Sequence, residues 1–174
     1  MPPSAQPALG LRLLGEIQSS VQAQGDAAEA EEPVKIVLVR CGSGRYAFLG
    51  RDIREILNVD EIFWVPGLPD CLPGLIQVRG EIESVIDIQR LLGEPGTGTG
   101  AGPHLVIMAV REAFHSGILV DEVEDVVDVP GSAFQPALIT LEPSIRNLVA
   151  GEIRLGGRLV PLLDLQQLQG RVTL

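Results

Sequence analysis

The sequence predicts an all-β chain of two small five-stranded barrels packed together, with short helical turns and a short C-terminal helix. Three observations lead there. First, residues 74–93, GLIQVRGEIESVIDIQRLLG, recur 77 residues later as 151–170, GEIRLGGRLVPLLDLQQLQG, with seven of twenty positions identical. Hydrophobic patterning alone would not also align Gly74/Gly151, Gly80/Gly157, Asp87/Asp164 and Gly93/Gly170, so the chain carries an internal duplication. Second, hydrophobic residues make up 45% of the chain but aromatics only 3%, so any core is built from Val, Ile and Leu, which suit pleated strands. Third, 20 glycines and 13 prolines punctuate short apolar runs and argue against long helices.

The elements follow in order. Residues 1–33 form an extension, in which Leu9, Leu13, Ile17 and Val21 make one helical stripe and residues 24–33 an acidic linker. That stripe either packs on the domain or docks a partner. The first unit spans about residues 34–93. It opens with a hairpin, 34–41 and 45–49, around Gly42-Ser43-Gly44. Asp52-Ile53-Arg54-Glu55 has capping-box spacing, so one helical turn is expected there, leading into a strand at 56–60. Residues 64–69, WVPGLP, form a proline-stiffened loop that cannot lie inside a sheet. The hairpin at 74–87 completes the unit, turning at Arg79-Gly80.

Residues 94–103, EPGTGTGAGP, read as a flexible linker. The second unit, about residues 104–170, repeats the plan: strands at 104–111 and 114–120, capping-box spacing again at Asp121-Glu122-Val123-Glu124, a strand at 126–129, a longer loop at 130–147, a hairpin at 148–164 and a helical tail at 165–169. Ten short strands between turn residues suggest two small barrels. Each would bury little alone, so packing together supplies the missing burial.

Charge and composition exclude several functions. The net charge is −10 and Lys35 is the only lysine, which disfavours nucleic acid and anionic membrane as partners. Cys41 and Cys71 lack metal-ligand spacing and form no disulfide framework, consistent with reduced thiols in a cytoplasmic protein. No apolar run is long enough to span a bilayer, and the N-terminus lacks the basic-then-apolar pattern of a secretory signal. There is no phosphate-binding glycine loop and no nucleophile–base pair, so neither cofactor nor metal is expected.

Asp87 and Asp164 invite an acid–base reading as a small enzyme. Their matched positions, each ending a strand before a short helix, suit backbone caps better. Gly74, Gly151, Gly156 and Gly157 belong to the same structural set of turns. Arg79 differs, because Gly156-Gly157 is the composition a two-residue hairpin prefers and arginine gains nothing there. If the turn has positive φ, arginine costs on the order of 1 kcal/mol. Either it is a solvated turn residue, or its planar fork recognises a carboxylate.

An ordered set of segments resembles the CheW-like domain of bacterial chemotaxis coupling proteins. Tyr46-Ala47-Phe48 followed by Ile53-Arg54-Glu55-Ile56 is similar to Y-A-x…V-x-E-I. Val65-Pro66…Pro69 and then Gly74-Leu75-Ile76-Gln77-Val78-Arg79-Gly80 resemble V-P…P…G-V-x-N-L-R-G. Val85-Ile86-Asp87-Ile88 resembles V-I-D-L, and residues 117–123 resemble G-L-L-V-D-x-V. The resemblance places the domain at 34–174 and implies SH3-like barrels in a non-enzymatic adaptor. It implies partners as well: the cytoplasmic tip of a chemoreceptor and the regulatory domain of a CheA-type histidine kinase. Carried over by position, Arg79, Gly80, Glu55 and Ile53 become candidate partner-binding residues. A stand-alone regulator of pilus motility or surface sensing, modulating such complexes, is the alternative.

Overall fold

The computed structural model of the chain describes residues 31–96, 103–138 and 140–172. The stripe at residues 9–21 and most of the 94–103 linker lie outside them. Eleven strands form two sheets among the described residues. They are β1 (Val34–Cys41), β2 (Gly44–Leu49), β3 (Ile53–Val59), β4 (Gly74–Val78), β5 (Glu81–Asp87), β6 (His104–Arg111), β7 (Phe114–Val120), β8 (Glu122–Val129), β9 (Phe134–Gln135), β10 (Val149–Leu155) and β11 (Arg158–Leu163). Three short helices accompany them: α1 (Ile88–Leu91), α2 (Pro143–Arg146) and α3 (Leu165–Val172).

One sheet runs β8-β1-β2-β11-β10-β9 and the other β3-β6-β7-β5-β4. Neither sheet belongs to one sequence unit. The hairpin β1–β2 sits with the second unit's strands, and β6–β7 sits with the first unit's. Parallel pairs stitch the exchange, Ala47 with Leu162 on one side and Val85 with Gly117 on the other. The expected assignment of one barrel to residues 34–93 and the other to 104–170 is therefore redrawn as a reciprocal hairpin exchange. Strand patterns cannot distinguish the two arrangements, since each sheet still holds one copy of every repeated strand.

The exchange explains the unbroken apolar stretches within the exchanged strands, 36–39 in β1, 46–49 in β2, 105–110 in β6 and 117–120 in β7. Each is covered on both faces. Ile36 and Leu38 face one barrel interior with Ala47, Ile153 and Leu162, while Val37 and Val39 face a central core. Val106 and Met108 face the other interior with Ile76, Val85 and Leu119, while Ile107 and Ala109 face the same central core. That core also takes Phe48, Ile86, Ile118, Leu163 and the helix residues Leu165 and Leu168.

Both capping-box expectations need correction. The helical turn of the first unit is Gly50–Asp52, and Ile53 already begins β3. Residues 122–124 are strand in β8. Tertiary pairing overrides the local pattern: Glu55 lies opposite Met108, and Glu122 and Val123 lie opposite Arg40 and Val39. Cross-strand ion pairs, Arg40–Glu122 at 2.9 Å and Arg45–Glu124 at 2.5 Å, hold the acidic side chains on the strand. The long second loop also contains β9 and α2.

Candidate functional site

The β4–β5 hairpin turns through Arg79 and Gly80 with φ of 50° and 85°. The β10–β11 hairpin turns through Gly156 and Gly157 with φ of 52° and 79°. Positive φ at both central residues is the type I′ geometry that matches strand twist. The two turns thus have the same backbone, and only the first places a side chain in the left-handed region. Gly80 and Gly157 supply the second position without a Cβ penalty.

Arg79 spans to β3. Its Nη1 donates to Glu55 Oε1 at 3.1 Å and its Nη2 to Glu55 Oε2 at 2.7 Å, a bidentate fork. β3 and β4 are the two outermost strands of their sheet, so the pair bridges its opposite edges. The Arg79 side chain is 70% exposed and that of Glu55 only 17%. Glu55 is thus a seated acceptor that aims an exposed guanidinium. A register shift between Ile53 and Glu55 separates their roles. Ile53 packs against the central core while Glu55 turns to the arginine. Three of the four candidate contact residues, Arg79, Gly80 and Glu55, meet at this corner; Ile53 supports it from inside.

Two residues outside the candidate set, Ile56 at the end of the V-x-E-I-like segment and Val126, flank the seam between the sheets. Ile56 is 43% exposed beside Ile107, and Val126 is 44% exposed beside Val37. Ile107 and Val37 are both central-core residues, so the exposed pair extends that core to the surface. Ile56 and Val126 also hold matching places in the two units, which was the available clue. Ile82, 72% exposed, stands on the Arg79 hairpin itself.

The remaining singled-out residues are internal. Asp87 is 4% exposed and its Oδ1 accepts from the Gln89 N–H at 3.0 Å, at the start of α1. Asp164 is 1% exposed and its Oδ1 accepts from the Gln166 N–H at 2.9 Å, at the start of α3. Among the described residues its Oδ2 is buried with no hydrogen-bond partner. Burial raises the Asp164 carboxyl above the ordinary carboxylate value, opposed by the backbone N–H groups of Gln166 and Gln167 and by Arg111. Asp52 is raised by burial too, against the pull of Arg111, whose Nη1 donates to it at 3.3 Å. Gly151 is buried at an irregularity in β10. Gly74 is a point of close approach: a Cβ there would lie 2.1 Å from the Phe63 carbonyl oxygen. His115 Nδ1 sits 2.7 Å from Glu83 Oε2. Among the described residues no cluster of His, Cys, Asp or Glu could hold a metal, and no helix is long and apolar enough to cross a membrane.

Comparison with known proteins agrees with this architecture. The family model described as the CheW-like domain matches residues 35–172. The chain is 26% identical over 135 residues to the probable chemotaxis protein CheW of Rhizobium etli, covering 77% of this chain and 86% of that protein. It is 24% identical over 137 residues to the chemotaxis protein CheW of Bacillus subtilis, covering 79% and 87%. The crystal structure of the scaffolding protein TtCheW from Thermoanaerobacter tengcongensis superposes with a TM-score of 0.67 at 23% identity, covering 76% of this chain and 90% of that one.

Proposed function

The chain belongs to the CheW-like domain family, a family of non-enzymatic scaffolds, and from that premise we propose that it couples a chemoreceptor to a CheA-type histidine kinase. In this proposal it acts in the cytoplasm, binding the receptor's cytoplasmic tip and the kinase's regulatory domain. Specificity comes from the Arg79 corner. Affinity comes from the apolar seam marked by Ile56 and Val126. Ile82 on the Arg79 hairpin and Ile56 next to Glu55 add exposed apolar surface to one oriented arginine, which matches the way interfaces concentrate binding energy.

One observation carries the proposal: Arg79 occupies a left-handed turn position where the second copy has Gly156 in the same conformation. Folding alone favours glycine there, so the guanidinium is what sets this turn apart from its counterpart. Glu55 orients it without burying it. An acidic or carbonyl-rich partner surface then completes the fork's remaining donors.

Affinity purification of the tagged chain, with identification of co-purified proteins, tests the proposal. Recovery of a receptor and a kinase together, lost on Arg79→Ala, supports it. Recovery of neither contradicts it. Recovery of a pilus-associated partner with no kinase supports the alternative regulator.

A further inference from the structure

The chain has one tryptophan, and it is at the surface. Trp64 is 72% exposed and its neighbour Phe63 is 51% exposed, in a protein with only six aromatic residues. Both sit on the loop between β3 and β4. Phe63 is fixed by two backbone hydrogen bonds with Leu75, its N–H donating at 2.8 Å and its carbonyl accepting at 2.9 Å. Trp64 therefore projects from an anchored root. Beside it lies an open cavity of about 340 Å³, whose lining includes Trp64, Leu68, Pro69, Asp70, Leu72 and Pro73, with Asp87 and Arg90 at one side. That volume falls within the range of sites that take a ligand or an anchor side chain. Two prolines in the wall keep its shape.

Charge identifies the occupant. No basic residue occurs between Arg54 and Arg79, while Asp60, Glu61 and Asp70 are exposed on the same loop. Arg90 is the single cation of the lining, and it crowds Gly96 together with Asp87 Oδ2, so its guanidinium lies on the Asp87 side. Asp70 shares the cavity lining with Trp64, and the loop that carries the indole is acidic and without a cation of its own. An exposed indole on an acidic loop attracts a guanidinium or ammonium group by cation–π and Coulomb forces together. The cavity beside it takes an aliphatic side chain.

We propose that the Trp64 loop is a second docking surface, which takes a cationic, aliphatic segment of a partner protein. It is distinct from the Arg79 corner. Asp87 ends β5 at the cavity and the Arg79 turn precedes the strand's start, so the two surfaces lie roughly 20 Å apart along the strand. Both can be occupied at once. The proposal stands on the loop alone and holds whichever partner uses the Arg79 corner.

Because Trp64 is the sole tryptophan, its fluorescence reports on this surface. The full chain is titrated with a blocked pentapeptide of alternating leucine and arginine, and with the matched leucine–glutamate peptide. The expected result is a saturable blue shift with the arginine peptide only, weakening several-fold between low and about 0.5 M salt. A variant carrying Glu61→Gln and Asp70→Asn lowers the affinity at least fivefold, and Arg79→Gly leaves it unchanged. Equal responses to both peptides, no saturable response, or undiminished binding by the double variant overturns the proposal. Loss of binding in Arg79→Gly overturns the independence of the two surfaces.

Discussion

Replacing Arg79 by glycine and, separately, by alanine divides its conformational cost from its chemical role. The cost comes from the left-handed φ of 50°, on the order of 1 kcal/mol for a residue with a Cβ. The gain comes from the fork to Glu55, and because Arg79 is 70% exposed that pair stabilises by roughly 0.2–1 kcal/mol. Glycine removes both terms, so Arg79→Gly should leave folding stability within about 1 kcal/mol of the parent. Alanine removes the fork and keeps the strain, so Arg79→Ala should be the less stable of the two by about 1 kcal/mol. Gly156, at φ 52° in the matching turn, shows that the backbone accepts glycine. Urea unfolding followed by circular dichroism measures the difference. Calorimetric titration against the kinase regulatory domain measures association, which both variants should weaken by tenfold or more. Equal stability of the two variants would refute the strain argument, and parental affinity in both would refute the functional one.

Three further outcomes follow from buried groups. Gly74→Ala drives a Cβ into the Phe63 carbonyl and should destabilise by about 1–3 kcal/mol, read as a lower urea midpoint; a parental midpoint would show that the loop yields freely. The thiol of Cys41 is pushed up to about 12 by burial and that of Cys71 is raised by burial too, so neither should react quickly with an aromatic disulfide reagent until urea unfolds the chain. Rapid native labelling of both would contradict their placement. Burial raises the carboxyl of Asp164 above 3.8, so its ionisation costs stability that returns as pH falls through the raised value. Asp164→Asn lacks that penalty, and its stability relative to the parent should improve as pH rises from the ordinary carboxylate range through the raised value; a constant difference would show that Asp164 ionises without cost in the fold.

The repeat made much of this molecule legible. Gly74 and Gly151, Gly80 and Gly157, and Asp87 and Asp164 in register announced two equivalent hairpins, and the mismatch of Arg79 with Gly156 marked the corner that the structure shows paired to Glu55. That pairing itself was not legible, because Arg79 and Glu55 are 24 residues apart and meet only when β3 and β4 become opposite edges of one sheet. The hairpin exchange was hidden for the same reason: β1–β2 and β6–β7 have the same pattern, and pattern does not record which neighbour a strand finds. The capping-box spacings at Asp52 and Asp121 misled because local propensity is weak beside a continuous ladder. Trp64 read as a stiff loop residue, since only its exposure and the cavity it shares with Asp70 suggest a role.

In the proposed coupling this chain joins a receptor and a kinase in one complex. A receptor signalling fragment and the kinase are passed through a size-exclusion column with and without the full chain. Coupling predicts that both migrate in one complex only when the chain is present, and that Arg79→Gly, although folded, fails to hold them together. Migration of receptor and kinase as separate species in the presence of the parental chain would contradict it.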